Sequence, residues 1–438
     1  MLTQLISETQ DSLVLAIDSL WGTGKTTFVK MWQAYLQNEG FSTLYFNAWE
    51  NDFNDDALIS LIGEIEVAMD SFKTSDSKVP KIKENLKKIK GAASVLIKNS
   101  IPIALKYASA GVLDYDKLTE TAIGEITRKM TEEQINKYEE SKHTIVKFKE
   151  HLQDFAKEIT ETSKPLVFFI DELDRCRPTY ALQVLEKAKH FFNVDNIVFI
   201  LAIDKNQIGN SIKGIYGEGM DVDGYLRRFI DLNYHLPEPP KGAFVKALFN
   251  RFGFNEYFEE RTSYSRNFRN DKEHFISIFS ELFSIFDFSL RVQEQCFTQV
   301  SLVFKTTSIQ IKLYPILLAT LISIKNYKIS LYKKYVGGDI NANQLMNELF
   351  LTKEGKEFCN SHYGYVIEAY LLYFDSTENK EKSIKKYSDI IQRESPQEDI
   401  HRKAKKILSI INDLEFSGDY NVLDNVVKKI EMLNRFQS

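Results

Sequence analysis

Lys25 and Thr26 directly follow Gly24 in Trp-Gly-Thr-Gly-Lys-Thr-Thr, a pattern whose chemistry is the handling of phosphate. Glycines at 22 and 24 let the backbone pass close to phosphate oxygens, the ammonium reaches the β and γ phosphates, and the Thr26 hydroxyl is suited to ligate Mg²⁺. Ser19, Trp21, Gly22, Thr23, Gly24, Lys25, Thr26 and Thr27 are assigned to nucleotide on this basis, with Ser19 standing where the usual pattern has its first glycine. Asp171 and Glu172 form the second constellation, at the end of the apolar run Leu166 to Ile170. There Asp171 would hold Mg²⁺ through water and Glu172 would polarise a water for attack on the γ phosphate. Asp174 is the next candidate for that base.

These groups need elements that bring them together. Leu13 to Asp18 reads as a buried strand, and Phe28, Val29, Met31 and Trp32 continue as a helix whose positive end faces the anion. Ser42 to Asn47, Leu166 to Asp171, Asn196 to Ile203 and Phe229 to His235 read as further strands separated by helices. Such alternation implies a parallel sheet with helices on both faces and ligands at the carboxyl ends of its strands. An acid directly after Asp171 suggests the P-loop division in which a sensor strand lies between the two nucleotide strands. Asn196 to Asp204 would be that strand, with Asp204 at its tip facing the γ phosphate or simply ending the strand.

Five motifs in order resemble the KAP family of P-loop NTPases: WGTGKTTF from Trp21, YFNAWEND from Tyr45, FFIDELDRCRP from Phe168, FILAIDKNQI from Phe199 and YLRRFIDL from Tyr225. FSLR from Phe288 extends the resemblance to about residue 300. The resemblance implies ATP and Mg²⁺ as cofactors. It also implies roles for arginines: Arg227 and Arg228 precede the last strand, where related oligomeric NTPases carry a finger to a neighbouring subunit, and Arg291 resembles the sensor arginine of a helical lid. Asn47, Trp49 and Glu50 end the second strand, where switch elements lie. Bacterial relatives occur in phage-exclusion and defence settings, and the chain is read as of that type.

Composition fits a cytoplasmic enzyme. The chain has 438 residues, 43% hydrophobic and 27% charged, enough for roughly two or three domains. A net charge of −5 gives no global field for nucleic acid. Three separated cysteines argue against a disulfide framework or thiolate metal site, and Glu8 and Asp11 interrupt any apolar leader before the first strand.

The expected organisation is an α/β P-loop NTPase core in two parts, 1–56 and 164–240, split by a helical insertion at 57–163. A helical lid-like domain, 241–335, and a mostly α-helical C-terminal region, 336–438, complete it. Pro237 to Pro240 mark the end of the core, since consecutive prolines forbid helix. In the insertion, Lys81, Lys83, Lys87, Lys88 and Lys90 precede a small and apolar stretch. Lys98 and Lys106 sit inside that stretch, Gly91 to Leu113, and central lysines cost roughly 2.5–3.5 kcal/mol each in a spanning helix. A helical pair is therefore preferred over spanning, with peripheral contact of the basic face on an anionic surface as the alternative. From Thr131 to Thr162, Ile135, Tyr138, Ile145, Phe148, Leu152 and Phe155 recur at helical intervals. Ser395, Pro396 and Glu398 signal a further helix, and Gly418 separates it from a last one ending near Leu433. The balanced charge of residues 377–438 suits protein contact.

The reading is a Mg-dependent ATPase acting as a nucleotide-driven switch or assembly motor. Self-association and a protein effector or sensor partner are expected. A nucleotide-gated scaffold with little turnover and a small-molecule P-loop kinase are the alternatives.

Overall fold

The computed structural model describes residues 1–9, 11–72, 77–99, 120–160, 164–240, 242–264, 268–307, 314–392, 398–416 and 422–432. Lys106, Ser395, Pro396, Gly418 and Leu433 lie outside the described residues. The chain divides into two compact units, Met1–Pro237 and Glu238–Ser438.

The first unit is built on a five-stranded parallel sheet, β1 (Leu13–Asp18), β2 (Thr43–Asn47), β3 (Leu166–Asp171), β4 (Ile197–Ile203) and β5 (Leu232–His235). Their order is β2-β3-β4-β1-β5. β4 thus separates β1 from β3, as expected of the sensor strand. Strand residues alternate between two apolar layers, which explains the unbroken hydrophobic runs. Leu15, Ile17, Phe169 and Ile200 pack with Val29, Trp32 and Leu36 of helix α2 (Lys25–Asn38) and with Ile6 of the short α1 (Leu2–Ser7). Val14, Phe46, Ile170 and Leu201 face the opposite layer. That layer comprises α3 (Ala57–Val67), α4 (Val79–Asn99), α5 (Glu120–Ile159), α6 (Pro178–Phe192), α7 (Lys205–Tyr216) and α8 (Val222–Leu226).

The insertion forms an antiparallel helical pair. Lys78 Nζ donates to Glu158 O at 3.3 Å, and at the other end Asn99 Nδ2 donates to Ser141 Oγ at 3.2 Å. Ile82, Leu86, Ile89 and Ala93 of α4 meet Phe148, Leu152 and Phe155 of α5, while the α4 lysines 81, 83, 87, 88 and 98 point to solvent. Farther up α5, Ile135 and Tyr138 continue the apolar stripe but are exposed. Among the described residues no helix is long and apolar enough to cross a membrane.

β5 starts at Leu232, later than the apolar run that begins with Phe229. Phe229 and Ile230 are buried in the turn against Tyr225 and Leu226, and Asp231 closes it. The Asp231 carboxylate accepts from Val14 N at 2.8 Å while its own N–H donates to Val14 O at 3.0 Å, setting the register of the edge strand.

The second unit is helical. In chain order it contains α9 (Ala243–Arg251), α10 (Phe254–Tyr264), α11 (Asp271–Ile285), α12 (Leu290–Lys305), α13 (Pro315–Tyr327) and α14 (Ile329–Val336). Then follow α15 (Ala342–Leu349), α16 (Lys353–Cys359), α17 (His362–Tyr373), α18 (Thr377–Gln392), α19 (Glu398–Phe416) and α20 (Val422–Met432). One apolar cluster runs through it from Val245 to Ile430. Phe249, Phe254, Phe258, Phe275, Phe297 and Phe304, six of the chain's 31 phenylalanines, contact each other edge-on, tilted or stacked. α13 is buried on every side from Pro315 to Lys325, and Lys325 near its end donates to Ile430 O, at 3.2 Å, in the last helix. Arg291 stands exposed in the first turn of α12.

Candidate nucleotide site

The turn between β1 and α2 holds its shape through glycine backbones and a hydroxyl pair. Gly22 (φ 80°) and Gly24 (φ 93°) occupy the left-handed region, where a Cβ is disfavoured, and Gly24 opens α2 with its amides unobstructed by a capping side chain. Ser19 needs no such conformation. Its N–H donates to Ile203 O at 3.2 Å, and its hydroxyl meets that of Thr23 at 2.6 Å, which in turn donates to Leu20 O at 2.7 Å. The serine thus staples the turn from inside, a role that the position of the missing glycine alone does not reveal. Thr26 is half-buried and Thr27 exposed in the first turn of α2.

Lys25 is folded back onto this turn. Its ammonium donates to Ser19 O at 2.5 Å and to Leu20 O at 3.2 Å, and stands 3.9 Å from the Asp174 carboxylate. Burial lowers its pKa, opposed by the negative charges of Asp174, Asp204 and Asp171. The ammonium of the β1 turn and the carboxylates beyond β3 and β4 therefore share one electrostatic environment.

β3 delivers its acids at its carboxyl end. Asp171 is buried; its Oδ2 accepts from the Tyr45 hydroxyl at 2.8 Å and its Oδ1 from Glu172 N at 2.8 Å. Burial, reinforced by the Asp171 charge and hydrogen bond, raises the Tyr45 pKa and leaves the phenol a donor. Glu172 has φ 59°, a left-handed backbone at a non-glycine residue, so the chain reverses sharply into the 3-10 turn Leu173–Arg175. Its carboxylate pairs with the Arg175 guanidinium at 2.8 Å. Arg175 also lies 5.8 Å from the ring of Trp49, which is exposed rather than part of the core. The loop beyond β2 is tied to the same turn, because Arg177 donates to both oxygens of Asp52, from N at 2.7 Å and from Nε at 2.9 Å. Within that loop Asn47 Oδ1 accepts from Trp49 N at 3.1 Å and Glu50 N at 3.3 Å.

Asp204 is buried at the tip of β4, and its Oδ1 caps α7 by accepting from Asn206 N at 3.0 Å and Gln207 N at 3.4 Å. Asp174 is the residue that sequence reasoning underrated. Its Oδ2 accepts the Trp21 indole N–H at 2.5 Å and the Asp204 N–H at 3.2 Å, beside the Lys25 ammonium. Burial raises its pKa, opposed by Lys25 and the Trp21 bond. Asp171 and Asp174 stand three apart across a tight turn and both face inward, an orientation that spacing alone does not give.

Arg227 and Arg228 are exposed at the end of α8, where the Arg228 guanidinium lies 5.9 Å from the Tyr225 ring. Among the described residues neither makes a hydrogen bond or ion pair with Lys25, Asp171 or Glu172. Arg291 belongs to the second unit.

The donor set fits a hydrated divalent ion. Thr26 supplies a hydroxyl and Asp171 a carboxylate, and Mg²⁺ takes few protein ligands, completing its octahedron with water and phosphate oxygens. Among the described residues no group of three or more His, Cys, Asp or Glu side chains could cage a metal without such help.

The profile of the KAP family P-loop domain matches residues 1–288. An uncharacterized protein, MJ0182, of Methanocaldococcus jannaschii is 30% identical over 176 residues, covering 36% of this chain and 88% of that relative. With a parallel sheet that brings a Gly-x-Gly-Lys-Thr turn and paired acids to its carboxyl edge, and a family match over more than half its length, the chain belongs to the KAP family of P-loop NTPases.

Proposed function

We propose that the protein is a Mg-dependent ATPase whose nucleotide state switches a protein partner. The observation that carries this reading is the convergence of Lys25 with Asp171 and Asp174 around one buried environment, with Glu172 at its edge. Lys25 would exchange its carbonyl and carboxylate contacts for the β and γ phosphates, while the amides at the start of α2 take the remaining phosphate charge. Bound Mg²⁺, held by Thr26 and by Asp171 through water, would supply charge neutralisation between the phosphates. Glu172 would orient the attacking water once its carboxylate leaves Arg175. Arg227 or Arg228 would complete the charge stabilisation of a second copy's nucleotide, making self-association part of the activity. Asp204 supports the site as the cap that fixes the end of β4.

One observation favours the scaffold reading, in which nucleotide binds and is seldom hydrolysed: the Glu172–Arg175 ion pair at 2.8 Å occupies the base in the resting protein. Calorimetry with Mg-ATP, Mg-GTP and Mg-ADP, followed by phosphate release in water alone, separates the readings. An ATPase binds ATP in preference and releases phosphate without any acceptor; a scaffold binds and releases almost none; a kinase needs the acceptor. The anti-phage setting rests on the resemblance of motifs, and phage plating on a host with the wild-type gene or its Lys25→Ala form tests it. Equal plating on both strains would reject that setting.

A further inference from the structure

We infer that Asp174 is a positioning residue for this site, holding the Lys25 ammonium ready for phosphate and holding the Glu172 turn against the tip of β4. The inference rests on the nucleotide-site reading above and goes beyond it by giving the second acid of the turn a role of its own. One carboxylate oxygen gathers three elements: the turn after β1 through Trp21 at 2.5 Å, the start of α2 through Lys25 at 3.9 Å, and β4 through Asp204 N at 3.2 Å. The Asp174 side chain is only 2% exposed, so these partners replace its water.

Two features make that convergence matter for turnover. Glu172, two residues earlier, holds a left-handed backbone that persists only if its surroundings impose it. Leu173, fully buried, anchors one side of the turn and Asp174 anchors the next position. In addition, Lys25 is turned back onto Ser19 O and Leu20 O, so an incoming phosphate chain must draw the ammonium away from its resting partners. When it does, Asp174 keeps the Trp21 and Asp204 bonds, and the turn that carries Glu172 keeps its place. The same commitment of Asp174 to two donors and a cation argues against its acting as the base. Trp21, pinned by its indole N–H while about half of its surface is exposed, couples the outer edge of the turn to this carboxylate.

The test is a double-mutant cycle on the full chain with Asp174→Ala, Trp21→Phe and the pair, measuring Kd for Mg-ADP, KM and kcat for Mg-ATP, and nucleotide-free Tm. Removing the carboxylate and its acceptor oxygens frees the ammonium from a competitor but loosens the Glu172 turn. Asp174→Ala should therefore bind Mg-ADP as tightly as wild type or up to tenfold tighter, while kcat falls at least tenfold. Trp21→Phe should lower kcat severalfold with a smaller change in Kd, and the pair should be no slower than Asp174→Ala alone, because both changes break the Trp21–Asp174 contact. Weakened binding in step with kcat, or losses that multiply in the pair, would overturn the inference in favour of a merely structural acid. If Asp174→Ala fails to fold, Trp21→Phe decides alone: wild-type kcat overturns the inference. A wild-type protein that binds neither nucleotide overturns the functional reading along with it. Wild-type binding and turnover together with an unaltered Asp174→Ala overturns the inference only.

Discussion

Lys25→Met should destabilise the nucleotide-free protein as well as abolish nucleotide binding. The substitution keeps most of the aliphatic stem and removes the charge, leaving Asp174 buried without its cation. At 3.9 Å the attraction is worth about 4 kcal/mol at an effective dielectric constant of ~20. Removing one partner of a buried pair costs roughly 3–5 kcal/mol. Asp174 retains the Trp21 and Asp204 donors, which lowers the expected loss to about 2 kcal/mol. For a unit of this size that corresponds to a Tm fall of about 4–8 °C. The pH dependence gives the sign. Burial already raises the Asp174 pKa, and loss of Lys25 raises it further. A carboxyl with a raised folded pKa contributes stability that is present below its unfolded pKa, and that stability is lost as pH rises through the folded pKa. The deficit of Lys25→Met should therefore be largest near pH 8 and close as pH falls through the folded pKa of Asp174. Melting curves without nucleotide at pH 8 and pH 5 provide the assay. Equal Tm values for the two proteins at both pH values, or a deficit that grows toward pH 5, would refute the argument.

Three further outcomes follow from named contacts. Ser19→Gly removes the hydroxyl pair with Thr23 and should lower stability by about 1 kcal/mol while leaving Mg-ATP affinity within a few-fold of wild type; severe loss of binding by calorimetry would show that the serine touches nucleotide. Asp204→Ala removes the cap of α7 and should lower Tm by the equivalent of about 1 kcal/mol, whereas Asp204→Asn, which still accepts from Asn206 N and Gln207 N, should recover most of it; equal losses in both would show that charge rather than capping matters. Arg227→Ala or Arg228→Ala should lower turnover without weakening ATP binding, and wild-type specific activity should rise with protein concentration; a flat concentration profile would reject a role in trans.

The strands that bracket the nucleotide were legible because each is an unbroken apolar run ending in an acid, so β1 and β3 begin and end where the hydropathy changes. The same rule misreads β5, whose preceding Phe229 and Ile230 are apolar for the sake of the helical layer, not the sheet. That Lys25 and the acids ending β3 meet at the carboxyl edge of one sheet was legible from residue type and spacing. The hydroxyl bond from Ser19 to Thr23, the capping by Asp204 and the burial of Asp174 were not, since each depends on how a turn points its side chains. An acid in Asp-Glu-Leu-Asp looks solvated until the left-handed Glu172 turns the next residues inward. Trp49 illustrates the reverse, a large aromatic at a strand end that stays exposed beside Arg175.

Phosphate release from Mg-ATP by Glu172→Gln, measured beside wild type and Lys25→Ala at saturating nucleotide, tests the central claim most directly. The account predicts steady turnover by wild type, no binding by Lys25→Ala, and for Glu172→Gln undiminished binding of Mg-ATP with turnover slowed at least a hundredfold, because Asp171 remains to hold the metal while the water loses its base. Turnover by Glu172→Gln at the wild-type rate would contradict the assignment of the base, and wild-type binding by Lys25→Ala would contradict the site itself.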